Sequence, residues 1–406
     1  MGKPDVKLLM VTEDNHNKFY NAHDDGNGFF TVTWGRVGTD GSQTTYPISQ
    51  WEAKINSKLR KGYKDVTSNT AKICEYAPIS DAEINKLLNA FLENSRQYVS
   101  HFTESTAISD EAAADAQKHI NAMAKNIDIP NPDQSTLNAF NRELLKLFEI
   151  IPRKMKRVQD ELCTRLADRP AHVTKEQSLL DNLVMQTKTL PSSSGTQTIE
   201  DAFGFTIAKC SQAEIDFIKN KLAKDGFTRY TFNRAWKVNT PARETGFAEY
   251  LANNKLNEKD HVKLYWHGTG TENILSILSN GLLIKPSNAS CCGSAYGDGI
   301  YNAPNSLKAS GYTSIAGSYW KGGTANVAYM FINAVIMGNE YHVKNNYETY
   351  GSTGITIRNL NGDNFAAANL NYHSVYAEAG GYLKRDEAIV YNKNQVACRY
   401  LVEFKT

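Results

Sequence analysis

The chain has 406 residues, more than one hydrophobic core usually serves, so two or three domains are expected. Its 41% apolar and 22% charged content is that of a globular protein, and a formal net charge of +2 excludes a global polybasic signature, so any basic face must be local. No apolar run approaches the roughly 18 residues needed to span a bilayer, and the N-terminus, MGKPDVKLLMVTED, has no apolar segment of the kind a secretion signal carries. Cys74, Cys163, Cys210, Cys291, Cys292 and Cys398 form no C-x-x-C pair. A structural zinc and a disulfide framework are therefore not expected, and an intracellular, membrane-free setting is.

From the N-terminus, Leu8 to Val11 and Phe29 to Trp34 read as strands, and Asp40-Gly41 carries a hairpin signal. A helix is predicted from about Gln50, with Ala53, Ile55 and Leu59 as its apolar positions and Lys54, Lys58, Arg60, Lys61 and Lys64 on its other side. Alone, that lysine face reads as a solvated one. From Ile79 to Thr187 the pattern becomes helical. Ser80 to Glu83 has the spacing of a capping box, with Ile84, Leu87, Leu88, Phe91 and Leu92 behind it. Further helices are predicted around Ile120, Met123, Ala124 and Ile127, around Leu144 to Phe148, through Val158, Leu162 and Leu166, and at Leu179 to Val184. The basic run Arg153 to Arg157 is short and sits in a predicted helix.

Leu190 to Gly195 is a Pro- and Ser-rich linker, and a mixed region follows. Strands are predicted over Phe203 to Lys209, Arg229 to Phe232, Val327 to Val335, Glu387 to Tyr391 and Cys398 to Phe404, and Ser211 to Glu214 reads as a capping box. Leu264 to Gly268 (LYWHG) is a strand ending on His267-Gly268 that runs into an amphipathic helix. A glycine there marks an edge that something approaches closely, although a turn histidine is the plainer explanation of His267 alone. Gly297 to Tyr301 (GDGIY) places a tyrosine behind a Gly-x-Gly turn, Tyr312 follows a short helical stretch, and Asp386 to Tyr391 (DEAIVY) opens a strand on the carboxylate Glu387. Between Val343 and Lys384 lies a long Asn-, Gly- and Tyr-rich stretch, read as a functional loop.

In order and spacing, LYWHG, GDGIY, DEAIVY and the Tyr372 to Val375 patch resemble the poly(ADP-ribose) polymerase catalytic domain, from about Phe203 to Thr406. Upstream, Asn17 to Tyr20, Trp34 to Gly38 (WGRVG) and the basic helix after Trp51 resemble a WGR domain, and the helices between are similar to the family's regulatory helical domain. The resemblance implies a multidomain α+β chain. A small β-sheet WGR-like domain with one helix would span residues 1–75, an all-α regulatory bundle 79–188, a linker 189–199, and a mixed α/β ADP-ribosyltransferase fold on antiparallel sheets 200–406.

It further implies NAD+ as donor, with no metal, and an enzyme that transfers ADP-ribose to protein acceptors, itself included, when DNA strand breaks or other nucleic-acid ends are bound. Two alternatives stand beside this: single ADP-ribose addition to protein or nucleic-acid ends, and a silent end-binding protein. Nuclear placement is implied for a eukaryotic host and cytoplasmic otherwise.

The implied catalytic residues are His267, Tyr301 and Glu387. Gly268, Thr269, Lys308, Ser310 and Tyr312 complete the donor site, with Tyr301 and Tyr312 stacking on the pyridinium and Gly268 offering backbone groups to the carboxamide. Trp34 and Arg36, with Lys54, Lys58 and Lys61, would hold a nucleic-acid end, although Trp34 as a core residue fits the triplet equally well. The chain departs from the family at Gly270, at Leu283 in place of an arginine with Lys285 nearby, at Ala309 in place of a serine with Ser310 beside it, and at Asp298 and Ala388.

Overall fold

The computed structural model describes residues 2–127, 129–188, 197–284, 295–314 and 326–405. The linker at 190–195, Lys285, Cys291 and Cys292 lie outside the described residues. Two compact units are present, residues 1–74 with 96–187 and residues 75–95 with 188–406.

The first unit begins with an antiparallel sheet of β1 (Val6–Val11), β2 (Asn17–Asp24), β3 (Phe29–Arg36), β4 (Ser42–Pro47) and β5 (Lys64–Asp65), ordered β4-β3-β2-β1-β5. The polar sequence of β2 hid it from strand prediction, yet it is the central strand. Its alternate residues Tyr20 and Ala22 join Leu8, Phe30 and Val32 in one core. Helix α1 (Trp51–Leu59) covers that face with Trp51 and Ile55. Ala53 and Leu59, expected to point inward, are exposed, because a nine-residue helix on a small sheet buries only one narrow stripe.

Helix α2 (Ala82–Phe102) is followed by α3 (Asp110–Ile127), α4 (Gln134–Ile150) and α5 (Arg169–Met185). The cap of α2 is Asp81, which accepts from the N–H groups of Glu83 and Ile84, so the expected Ser80–Glu83 box does not form. Glu83 instead pairs with Lys209 and Arg234. The helix expected through Val158, Leu162 and Leu166 is also absent. Two short 3₁₀ turns, Val158–Glu161 and Leu166–Asp168, occupy that stretch. Arg153 to Arg157 is not helical either but an extended strap, because Arg153 leaves solvent to ion-pair with Glu176 of α5.

The second unit contains, in chain order, α6 (Ile199–Phe203), β6 (Thr206–Lys209), α7 (Gln212–Lys224), β7 (Thr231–Asn239), α8 (Pro241–Asn253), α9 (Glu258–His261), β8 (Val262–Gly268), α10 (Ile274–Asn280), β9 (Ile300–Asn302), α11 (Ser306–Ala309), β10 (Val327–Ile336), β11 (Glu340–Val343), α12 (Gly362–Ala367), β12 (Ser374–Ala377), β13 (Glu387–Val390) and β14 (Val396–Lys405). The predicted Ser211–Glu214 box caps α7. The strand expected from Phe203 begins three residues later, since Phe203 closes α6 and Gly204 turns the chain in the left-handed region.

These strands form two sheets, β6-β7-β14-β10-β8 and β11-β12-β13-β9. All their ladders are antiparallel except β11–β12. Strand β10 is apolar almost throughout because both its faces are covered. The stretch from Val343 to Lys384 is more ordered than a loop. Tyr350, Phe365 and Tyr391 stack in succession and give it a core of its own.

Candidate active site and nucleic-acid interface

Strand β8 delivers His267 and Gly268 to the seam between the two sheets of the second unit. Trp266 anchors the strand. Its indole is buried and donates to Asp225, and its backbone exchanges both hydrogen bonds with Ala303, at 2.8 and 2.7 Å. Strand alternation sends the N–H and C=O of Gly268 out along the same edge as those of Trp266, one step beyond that bridge. A Cβ on Gly268 would lie 1.8 Å from the Ala309 carbonyl oxygen and 3.4 Å from Cβ of Tyr312, so only glycine fits between them. His267 donates from Nδ1 to the Tyr301 carbonyl at 3.1 Å, which leaves Nε2 as the acceptor nitrogen of the neutral ring.

Tyr301 stands on β9 directly opposite Ile389 of β13. Its hydroxyl donates to the Gly297 carbonyl at 2.6 Å and accepts from the Tyr296 N–H at 2.9 Å. Burial holds that phenol well above its ordinary pKa, so it stays protonated. The turn it closes needs glycine at 297, where φ is 86° and a Cβ would meet the Leu360 carbonyl. Tyr312 is half-exposed on the 3₁₀ turn Ser310–Tyr312, beside Gly268.

Glu387 opens β13 and, two residues before Ile389, shares the sheet face of Tyr301. It is only 6% exposed. Its carboxylate lies 3.0 Å from Nζ of Lys308, which also donates to the Arg385 carbonyl at 3.2 Å. Burial pushes the Glu387 pKa up against the pull of Lys308, and burial prevails. The Lys308 pairing was not foreseen, since nothing in the spacing relates residues 79 apart. Asp386 was also overlooked. It accepts from the Tyr376 hydroxyl and the Ala379 N–H, and so braces the chain just before the glutamate.

The remaining donor-side positions are placed as follows. Thr269 is buried, with its hydroxyl 3.5 Å from the Asn273 amide. Ala309 is buried beside Gly268. Ser310 is fully buried, donating to the Leu307 carbonyl and accepting from Arg229. Leu283 is exposed. Among the described residues no group of three His, Cys, Asp or Glu side chains could hold a metal, and no helix is long and apolar enough to cross a membrane.

In the first unit Trp34 continues the row of Phe30 and Val32 along β3, but unlike them it is 45% exposed. Its cross-strand neighbour is Tyr20, over whose ring Lys58 sits at 4.6 Å, while Lys54 covers Tyr46 at 3.8 Å. Burial, then Lys61, Lys18 and Lys54, lower the Lys58 pKa, the electrostatic mark of a clustered basic patch. Lys18 belongs to this patch and was missed, because its strand was missed. Arg36, opposite Lys18, uses all three nitrogens on chain contacts. It donates to the Met155 carbonyl, the Asn15 carbonyl and the Asn15 side chain at 3.1, 3.2 and 2.8 Å.

Residues 213–406 match the poly(ADP-ribose) polymerase catalytic domain, and residues 7–70 match the WGR domain. The chain is 33% identical to uncharacterized protein 101L of Invertebrate iridescent virus 6, covering 45% of this chain and 77% of that protein. It is 30% identical to putative poly [ADP-ribose] polymerase-like 100L of the same virus, over 47% of this chain and 92% of that one. It is 37% identical to protein mono-ADP-ribosyltransferase PARP3 of Homo sapiens over 28% of this chain and 19% of that protein.

Proposed function

The chain belongs to the poly(ADP-ribose) polymerase family, whose catalytic domain uses NAD+ as ADP-ribose donor, and on that premise we propose that it is switched on by nucleic-acid ends and modifies protein acceptors. The observation that carries the catalytic half is Glu387, buried, paired with Lys308, and one strand from Tyr301 and its partner His267. In the proposed reaction the bond between the nicotinamide ring nitrogen and ribose C1′ breaks, and nicotinamide leaves neutral with the bonding pair. An acceptor oxygen bonds to C1′ and gives up its proton. Glu387 stabilises the positive charge growing on the ribose and takes that proton.

Around that step, Gly268 offers an N–H and a C=O to the carboxamide, a pair of backbone groups that a neighbouring strand would otherwise use. Tyr301 lines the nicotinamide pocket with a ring held by its hydroxyl, and Tyr312 closes it on the exposed side. His267, with Nδ1–H committed to Tyr301, turns Nε2 toward a ribose hydroxyl. With Ala309 carrying no hydroxyl and Ser310 engaged with Arg229 and Leu307, the carboxamide rests on the Gly268 backbone, which weakens donor binding without abolishing it.

Nucleic-acid ends would stack on Trp34 with their phosphates on Lys18, Lys54, Lys58 and Lys61. Arg36 acts differently from the simple phosphate contact its sequence implies, by tying the sheet to the strap at Met155. A second proposal concerns product length. Single addition follows the likeness to a mono-ADP-ribosyltransferase and chain elongation the likeness to a poly [ADP-ribose] polymerase-like protein, so product size separates the two.

The test is nicotinamide release from NAD+ by wild type and Glu387→Gln, with and without 5′-phosphorylated duplex ends. Release stimulated by ends and reduced roughly 10²-fold or more in the variant is expected. Equal release with and without ends would sink the end-activation half. Release unchanged in Glu387→Gln would sink the catalytic assignment. A gel of the products separates a ladder from one addition.

A further inference from the structure

The basic run Arg153 to Arg157 has no part in the site described so far. It is an extended strap in which Ile151, Arg153, Met155 and Val158 are buried and Lys154, Lys156 and Arg157 are exposed. Both sides of the strap are clamped. Toward the sheet, Asn17 donates to the Arg153 carbonyl at 2.9 Å, Arg36 donates to the Met155 carbonyl, and the Val158 N–H donates to the Asn15 side chain at 3.0 Å. Toward the helices, the Lys154 N–H donates to the Phe102 carbonyl at 2.9 Å, and the Arg153 guanidinium pairs with Glu176. The strap cannot drift from the Trp34–Arg36 strand end without breaking these contacts.

We infer that the strap is a second phosphate-binding element, in which Lys156 and Arg157 hold the backbone of the same nucleic-acid strand whose end stacks on Trp34. This rests on the nucleic-acid function proposed above. Among the described residues neither side chain has a carboxylate within ion-pair range, whereas Lys154 beside them is engaged with Glu104 and the Ser100 carbonyl. Arg36 and Trp34 are two residues apart on one strand face, roughly 7 Å, about one nucleotide of extended backbone. Lys156 follows the residue that Arg36 touches, so the strap takes up the next phosphates along.

Gln159, just past the strap, donates to the Glu13 carbonyl, which sets the acidic β1–β2 turn with Glu13 and Asp14 beside the strap. They repel a phosphate chain over the β1–β2 turn and direct it toward Lys18 and Trp34. Arg157 at a planar phosphate contact and Lys156 as a point charge are suited to backbone binding without base specificity.

The experiment is fluorescence anisotropy of the full chain on a 5′-phosphorylated duplex across a salt series. The proteins compared are wild type, Trp34→Ala, Lys156→Ala/Arg157→Ala, and Lys255→Ala/Lys259→Ala as an equally charged control on the other unit. The strap pair is expected to flatten the log K against log salt slope by roughly one to two units, about 0.9 per lost phosphate contact. Trp34→Ala should lower affinity with the slope kept, and the control should change neither. Wild-type binding that needs Trp34 while the strap pair keeps the wild-type slope overturns the strap inference alone. A slope lowered equally by strap pair and control also overturns it, in favour of general charge. No binding by wild type at low salt overturns both this inference and the end-binding proposal.

Discussion

Glu387 and Lys308 form a largely buried pair, 3.0 Å apart, whose charge balance gives a direct test of the catalytic role proposed for the glutamate. Burial raises the glutamate's pKa and Lys308 opposes that rise, so the sign of a lysine mutation is determined. In the proposed role the carboxylate stabilises a developing cation only when ionised, and turnover is therefore expected to climb as pH rises through the raised pKa. Lys308→Met leaves burial unopposed and should move the acidic limb of the kcat/KM profile to higher pH. A pH series of nicotinamide release would measure this, and a limb that stays in place would mean that Lys308 acts on the substrate instead. Gly268 offers a second residue-scale check. Gly268→Ala drives a methyl into the Ala309 backbone carbonyl, so the chain must shift there; the variant should melt at a lower temperature than wild type and gain no further protection from added NAD+.

At the scale of elements, the strap and helix α5 are joined by Arg153 and Glu176, each almost wholly removed from water. Two nitrogens of that guanidinium, Nε and Nη1, have no hydrogen-bond partner among the described residues, so the pair is not a strong stabiliser in itself. Removing one member is another matter. Glu176→Leu strands a buried cation and should cost about 3–5 kcal/mol of unfolding free energy, read by urea denaturation. The double variant Arg153→Met/Glu176→Leu replaces both charges with apolar volume and should recover most of that loss. If the double variant is as unstable as the single one, the pair is needed for the geometry of the strap rather than for charge balance.

Across the whole molecule, the proposed switch needs the end-binding sheet to be mechanically continuous with the helices of its unit. Arg36 is the residue at which that continuity can be cut with least damage, since it is half-buried and bonds only to chain carbonyls and an amide. Arg36→Ala should lower the ratio of turnover with ends to turnover without them by several-fold, while leaving the DNA-independent rate unchanged. Equal stimulation in the variant would show that activation bypasses the strap.

Much of the site was legible in one dimension because its chemistry is local. A strand ending in His267-Gly268, a Gly-x-Gly turn before Tyr301 and a glutamate opening β13 each follow from short-range backbone rules, and their order along the chain matched a known family. The apolar periodicity of α3, α4 and α5 was equally plain, since each buries one continuous stripe. Strand β2 was not legible, because Asn17, Asn21 and His23 make one of its faces largely polar and Lys18 opens the other, leaving only Tyr20 and Ala22 as an apolar alternation.

The pairings came from folding, not from the order of residues along the chain. Lys308 meets Glu387 because α11 folds back over β13, Arg36 turns to Met155 because a strap lies against its strand, and Ser310 faces Arg229. The run Arg153 to Arg157 is a strap because its backbone is taken up by Asn17, Arg36 and Phe102, residues far away in the chain. Backbone conformation depends largely on a few adjacent residues, and so most elements and the motifs that carry the proposed site could be read along the chain. Which charge neutralises which depends on distances between residues far apart in the chain, and only the folded arrangement sets those.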